Sequence, residues 1–264
     1  MKRFMLILAM GFVLFVAGCG GDKETKATTG SSEDKVIKVG AVPDGFPHTF
    51  KEDDELKGFN VDIFEAVFHE LGYEIEWVLT DWNGVLANLQ SGKVDTAINF
   101  AHTEERAKSY DFTDPYYNSK AVVATAQDDP NIQSLDDLKG KELASIMGTN
   151  FENVLEEHYP EEDYELVVYE SNDVVYTDVA SGKVDGFIYG REQLLAQMNE
   201  KDIPLQIVGE PFGDQPVAFP FEKTEENQKL ILEINEAIEK LREDGTFSEL
   251  SLKWFDTDLL EEEK

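Results

Sequence analysis

Gly148-Thr149-Asn150 stands between an apolar run and an amphipathic run, so it reads as a strand-to-helix turn. The first backbone N–H groups of a helix have no partner within it, and the helix dipole favours negative charge at that end. The turn is therefore a candidate anion site, with the Thr149 hydroxyl as an additional donor. Thr149 or Asn150 would cap the helix in any case, and capping is compatible with binding. Other chemistry is scarce. Cys19 is the only cysteine, so no disulfide can form within the chain and no cysteine nucleophile exists beyond it. His48, His69, His102 and His158 lack metal-ligand spacing, and neither His-Glu-x-x-His nor a phosphate-cradling glycine loop occurs. No catalytic residue, metal site or cofactor is expected.

The elements that must position this turn follow from periodicity. Strand-length apolar runs at residues 36–41, 74–79 and 94–100 alternate with helical runs at 58–72 and 83–90. In the first helix Phe59, Ile63, Ala66, Val67 and Leu71 recur at steps of three and four. The pattern restarts with strands at 121–126, 142–147, 165–169 and 184–189. Between them lie a short helix opened by Ser134 and helices at 150–158 and 173–181, and helices at 224–243 and 246–255 close the chain. Such alternation implies βαβ units and a mostly parallel sheet. Leu89-Gln90-Ser91-Gly92-Lys93-Val94-Asp95 returns as Val179-Ala180-Ser181-Gly182-Lys183-Val184-Asp185. Both copies end a helix at Ser-Gly and start a strand at Val, which predicts two similar lobes.

The ends and the composition set the compartment. Lys2 and Arg3, an apolar run over residues 4–16 and the closing Val16-Ala17-Gly18-Cys19 read as a secretory signal, residues 1–18. The apolar run is shorter than the roughly 20 residues a spanning helix needs. The small-small-Cys ending resembles the lipobox of bacterial lipoproteins, which implies lipidation of Cys19 and anchoring to the cell membrane. Residues 19–35 hold almost no large apolar side chain and read as a flexible tether. A net charge of −32, two units more negative once Lys2 and Arg3 are removed, argues against a nucleic-acid partner.

Further signposts run the length of the chain: Gly58-Phe59-Asn60-Val61-Asp62, Asp81-Trp82-Asn83-Gly84-Val85-Leu86, Glu105-Arg106-Ala107-Lys108, Tyr110-Asp111-Phe112-Thr113-Asp114-Pro115-Tyr116-Tyr117, and Asp244-Gly245-Thr246 before Lys253-Trp254-Phe255. Taken in order, they resemble the amino-acid-binding proteins of ABC importers, the extracellular solute-binding proteins of family 3. The resemblance implies an α/β, two-lobed periplasmic-binding-protein-like fold of type II. Lobe 1 would comprise residues 36–123 plus 217–264 and lobe 2 residues 127–213, with hinge crossings near residues 124–127 and 211–217. It also implies a lipid-anchored extracytoplasmic monomer, not an enzyme, that passes a small amino acid to an ABC permease.

Within that resemblance Arg106 grips the ligand α-carboxylate, a role suited to a planar fork that stays charged when desolvated. Trp82 walls the ligand side chain, with Phe46 and Phe100 as companions, and Asn99 at a strand end is a further donor. Two departures stand out. The aspartate that the family places five residues after Asp185 is here Gly190, and the segment Asn99-Phe100-Ala101-His102-Thr103 is one residue short of the family pattern. The ligand ammonium must then meet Asp44, Glu170, Glu192 or carbonyl dipoles, unless the ligand is a small carboxylate without a standard α-amino group. A dehydratase built on this fold is the corresponding alternative. Asn99, the Thr149-Asn150-Phe151 turn, Arg191 and Lys253-Trp254-Phe255 with Asp258 are similar to the cystine-binding branch, so cystine or a related sulfur or polar amino acid is the expected ligand. Gly190→Asp is expected to strengthen binding of ordinary α-amino acids; calorimetry across a ligand panel checks this, and no gain would put the ammonium elsewhere.

Overall fold

A computed structural model describes residues 35–159 and 164–259. The expected export signal, residues 1–18, and the expected tether up to residue 34, Cys19 included, lie outside the described residues, while Lys35, the last residue of that tether, begins β1. β1 (Lys35–Ala41) is followed by a small antiparallel sheet of β2 (Asp44–Gly45), β3 (Thr49–Glu52) and β4 (Glu55–Lys57). α1 (Phe59–Glu70) then buries Phe59, Ile63, Phe64, Val67 and Phe68. Gly58 opens this helix at φ 135, and a Cβ there would lie 2.3 Å from the His48 carbonyl oxygen, so the position requires glycine.

After β5 (Tyr73–Leu79), Asp81 caps α2 (Trp82–Gln90) by accepting from the Gly84 N–H at 2.7 Å. β6 is only Thr96–Ala97, shorter than the expected 94–100, because Asn99 at φ 56 takes the chain out of the extended region. β5, β1 and β6 lie parallel in that order. A 3-10 turn at Arg106–Lys108 leads to β7 (Tyr110–Phe112) and the long β8 (Tyr117–Ala126).

The second set of units begins after a 3-10 turn, Leu135–Leu138, held by a reciprocal cap between Ser134 and Asp137. β9 (Lys141–Ile146), α3 (Phe151–His158), β10 (Tyr164–Tyr169), α4 (Asn172–Ala180), β11 (Gly186–Gly190), α5 (Arg191–Lys201) and β12 (Leu205–Val217) follow. Their sheet has the order β10-β9-β11-β8-β12, parallel across β10, β9 and β11 and antiparallel at β8 and β12. β13 (Pro220–Glu222) returns to pair with β7, and α6 (Glu225–Glu243) and α7 (Thr246–Phe255) complete the fold. α5 escaped the periodicity reading because several residues it buries, Glu192, Gln193 and Gln197, are polar.

The repeated Ser-Gly-Lys-Val-Asp segment makes the same contacts twice. Gly92 and Gly182 take φ 67 and 73 at the helix ends. Asp95 exchanges bonds with the Lys38 backbone, N–H to carbonyl at 2.8 Å and carboxylate from N–H at 2.7 Å. Asp185 does the same with Glu142, at 3.0 and 2.9 Å. Each aspartate thus fastens a third strand to the start of its neighbour.

Apolar residues gather in separate clusters. One joins β1, α1, α6 and α7 and holds Tyr117 and Val217; others join β8, β9, β11 and their helices and hold Ala121, Val122 and Ala124. The paired strands β8 and β12 therefore run from one core into the other. Phe219 is a hub of the first core, 4.6 Å from Tyr116 and 5.1 Å from Phe64 between ring centroids. Phe219→Ala should lower unfolding free energy by about 3–5 kcal/mol, read by urea denaturation.

Candidate functional site

A cavity of about 140 Å³ lies where β1, α2, the paired strands and the β9–α3 turn converge. On the scale at which one water needs about 10–15 Å³, it has room for roughly ten waters, the space of a small-molecule ligand. The strand ends place its walls: Val42 and Asp44 follow β1, Trp82 begins α2, Thr149 and Asn150 precede α3, and Gly190 ends β11. This is the location general to open α/β sheets, outside the carboxyl ends of parallel strands.

Arg106 projects into the cavity wall and is largely desolvated. Its Nη1 donates to the Ala101 carbonyl at 3.0 Å and its Nη2 to the Gly148 carbonyl at 3.1 Å. The guanidinium carbon lies 4.4 Å from the Phe100 ring centroid and 5.6 Å from that of Trp82. Burial draws its pKa down to about 10, which leaves it charged at neutral pH. Among the described residues no carboxylate forms a salt bridge with it. A charge held this way attracts an anion into the same space.

Seven of the expected site residues line the cavity: Asp44, Trp82, Asn99, Arg106, Thr149, Asn150 and Gly190. Three do not. Phe100 is fully buried and supports the guanidinium from beneath. Phe46 turns away to pack on Phe50 at 5.0 Å and borders a second cavity. Gly148 contributes its carbonyl, which accepts from Trp82 Nε1 at 2.9 Å as well as from Arg106. The turn also differs in detail from the expectation. The Thr149 N–H and hydroxyl both donate to the Ile146 carbonyl, at 3.1 and 2.8 Å, because the chain tightens before α3. Thr149 therefore offers its oxygen rather than a proton to the cavity.

The candidate ammonium partners separate clearly. Asp44 and Glu170 line the cavity and are exposed. Glu192 is buried and sits behind the wall, where its Oε2 accepts from Ser119 Oγ at 2.8 Å. At Gly190, φ is −66 and an added Cβ would meet only Ser119 Oγ at 3.5 Å and Phe151 Cζ at 3.6 Å, so a side chain fits there.

His48, a histidine the sequence reading places near the site, lines the cavity, and so do residues that reading does not single out, including Thr49, Tyr117, Ser119, Tyr189, Gln193 and Gln215. Tyr117 closes the Asp114-Pro115-Tyr116-Tyr117 signpost and was within reach; Gln215 lies on a strand with no local signal. His48 Nδ1, Thr49 Oγ1 and Gln215 Nε2 are buried without a hydrogen-bond partner among the described residues. His102 does not line the cavity and stacks on Phe112 at 4.3 Å. Among the described residues no cluster of metal-ligating side chains occurs, and no helix is long and apolar enough to cross a membrane.

Two α/β cores joined by a pair of strands, with a desolvated cation at the cavity between them, define a two-lobed solute-binding protein with the periplasmic-binding-protein-like fold of type II. The bacterial extracellular solute-binding proteins, family 3, match residues 37–257, and the chain belongs to this family. It is 35% identical over 266 residues to the probable amino-acid-binding protein YxeM of Bacillus subtilis (strain 168), covering 100% of this chain and 99% of that one. It is 33% identical over 217 residues to the L-cystine-binding protein TcyJ of Escherichia coli (strain K12), covering 81% and 80% of the two chains. A solved ancestral arginine-binding protein bound to arginine is similar at a TM-score of 0.76 and 30% identity, over 83% of this chain and 98% of that one.

Burial pushes the His48 imidazole down to about 3, among Phe59, Tyr117 and Phe255. The unfolded chain binds that proton near pH 6.5 and the folded chain does not, so this contribution to stability is full above about pH 6.5 and is lost as pH falls toward the folded value. His48→Phe should flatten the dependence by up to roughly 1.4 kcal/mol per pH unit in that window, measured by urea titration of both proteins.

Proposed function

We propose that the chain closes over a polar amino acid, holds its α-carboxylate on Arg106 and delivers it to the permease of an ABC importer. The observation that carries this reading is the desolvated guanidinium at the cavity, bonded only to carbonyl oxygens and lacking a carboxylate partner among the described residues. A planar fork with donors still free matches a carboxylate. The names of YxeM and TcyJ support an amino acid, and that of TcyJ supports cystine or a related sulfur or polar amino acid.

In this reading the lobes are residues 36–123 with 217–264 and residues 127–213. The apolar clusters move the first boundary: Tyr117 packs with the first core, but Ala121, Val122 and Val123 already pack with the second, so the crossing in β8 falls between Tyr117 and Ala121 rather than near residues 124–127. Hinge motion about β8 and β12 opens and closes the cavity. Export under residues 1–18 and a lipid on Cys19 would keep the clamp beside its permease.

The test is calorimetric titration with the twenty standard L-amino acids, L-cystine and small carboxylates. At least one amino acid should bind, and Arg106→Ala should weaken it by about 3 kcal/mol or more, above a hundredfold, with the circular dichroism unchanged. Unaltered affinity in that variant would remove Arg106 from the site.

A further inference from the structure

We propose that Ser119 and Glu192 together receive the ligand's α-ammonium, in place of an acid at position 190. The inference rests on the reading of Arg106 as the carboxylate anchor. Ser119 lines the cavity from β8 and is 8% exposed. Its hydroxyl donates to Glu192 Oε2 at 2.8 Å. A hydroxyl has one proton and two lone pairs. With the proton committed to a carboxylate, Ser119 can offer the cavity only an acceptor, and the bond to an anion makes that oxygen more negative. It suits a cation and offers nothing to an anion.

Location supports the same assignment. A side chain built at Gly190 would begin 3.5 Å from Ser119 Oγ, so the serine oxygen occupies the space that an acid at 190 would address. Glu192, 7% exposed on the first turn of α5, supplies the formal charge. Arg191 approaches its other oxygen, Oε1, at 3.7 Å, so the carboxylate faces Ser119 through Oε2 while Arg191 lies on the far side. Asp44 and Glu170, the other acids considered, are exposed at the cavity, where water and salt screen them. Ser119 thus touches the ligand, and Glu192 is a positioning residue that acts through it.

The test compares the tightest binder among L-cystine and the twenty standard L-amino acids with its desamino carboxylate, for example L-cystine with 3,3′-dithiodipropionate. Wild type should prefer the amino partner by roughly tenfold or more. Ser119→Ala should remove most of that preference by weakening the amino partner alone, and Glu192→Gln, which keeps the shape and removes the charge, should do so in the same direction. Gly190→Asp placed in Ser119→Ala should restore it. Loss of both partners alike would mark a merely structural role and overturn the proposal, as would wild-type preference in Ser119→Ala. If Glu192→Gln does not fold, Ser119→Ala and its rescue decide. Arg106→Ala separates the two readings: it should weaken both partners, and if it does so while the serine variant changes neither, the carboxylate anchor stands and the ammonium site falls.

Discussion

The cavity is organised around a guanidinium taken out of water. Removing an ion from water costs several kcal/mol even after the protein relaxes, and the chain offsets part of that cost with two carbonyl dipoles and the face of Phe100. Dipoles and a ring carry no net charge, so the positive charge of Arg106 remains to be met. Capped residues and aromatic packing hold it in place: Thr103 Oγ1 accepts from the Arg106 N–H at 3.2 Å, and Phe100 packs on Trp82 at 5.5 Å.

The Gly148 carbonyl ties that cation to the opposite core. It accepts from both Arg106 and Trp82, which belong to the first set of elements, while Gly148 itself ends the β9 side of the turn before α3. Gly148 stands at φ 76, and a Cβ would come 3.1 Å from Leu86 Cδ1, so both the backbone and the space favour glycine. The same small turn therefore fixes the approach of the two cores and orients the fork. The strongly acidic surface bears little on capture of such a ligand, because a zwitterion has no net charge for a net field of −32 to attract or repel.

Legibility from sequence followed the size of the local signal. α1 and α6 present long apolar stripes, and they formed within a residue or two of their expected bounds. The Ser-Gly-Lys-Val-Asp echo was readable as a helix end and a strand start, but the matching bonds from Asp95 and Asp185 to a neighbouring strand were not, since they link residues 43 to 57 positions apart. The small sheet of β2, β3 and β4 and the polar helix α5 carried no apolar period and went unread. Of the residues lining the cavity, those inside local motifs carry a sequence signal, Arg106, Trp82, Thr149 and Asn150 among them. Residues delivered by long strands, Ser119 and Gln215, do not.

By itself the sequence determined the α/β alternation and the identity of the cation, because each is written in a short window of side-chain types. Tertiary structure alone decided which oxygen faces that cation, which aromatic supports it and which carboxylate stands behind Ser119. Those outcomes depend on the pairing of β8 with β11 and β12 and on the packing of α5 beside them. Burial and direction are properties of the assembled chain: Glu192 and Glu170 are the same residue type, and only the fold buries one behind the wall and leaves the other exposed at the cavity.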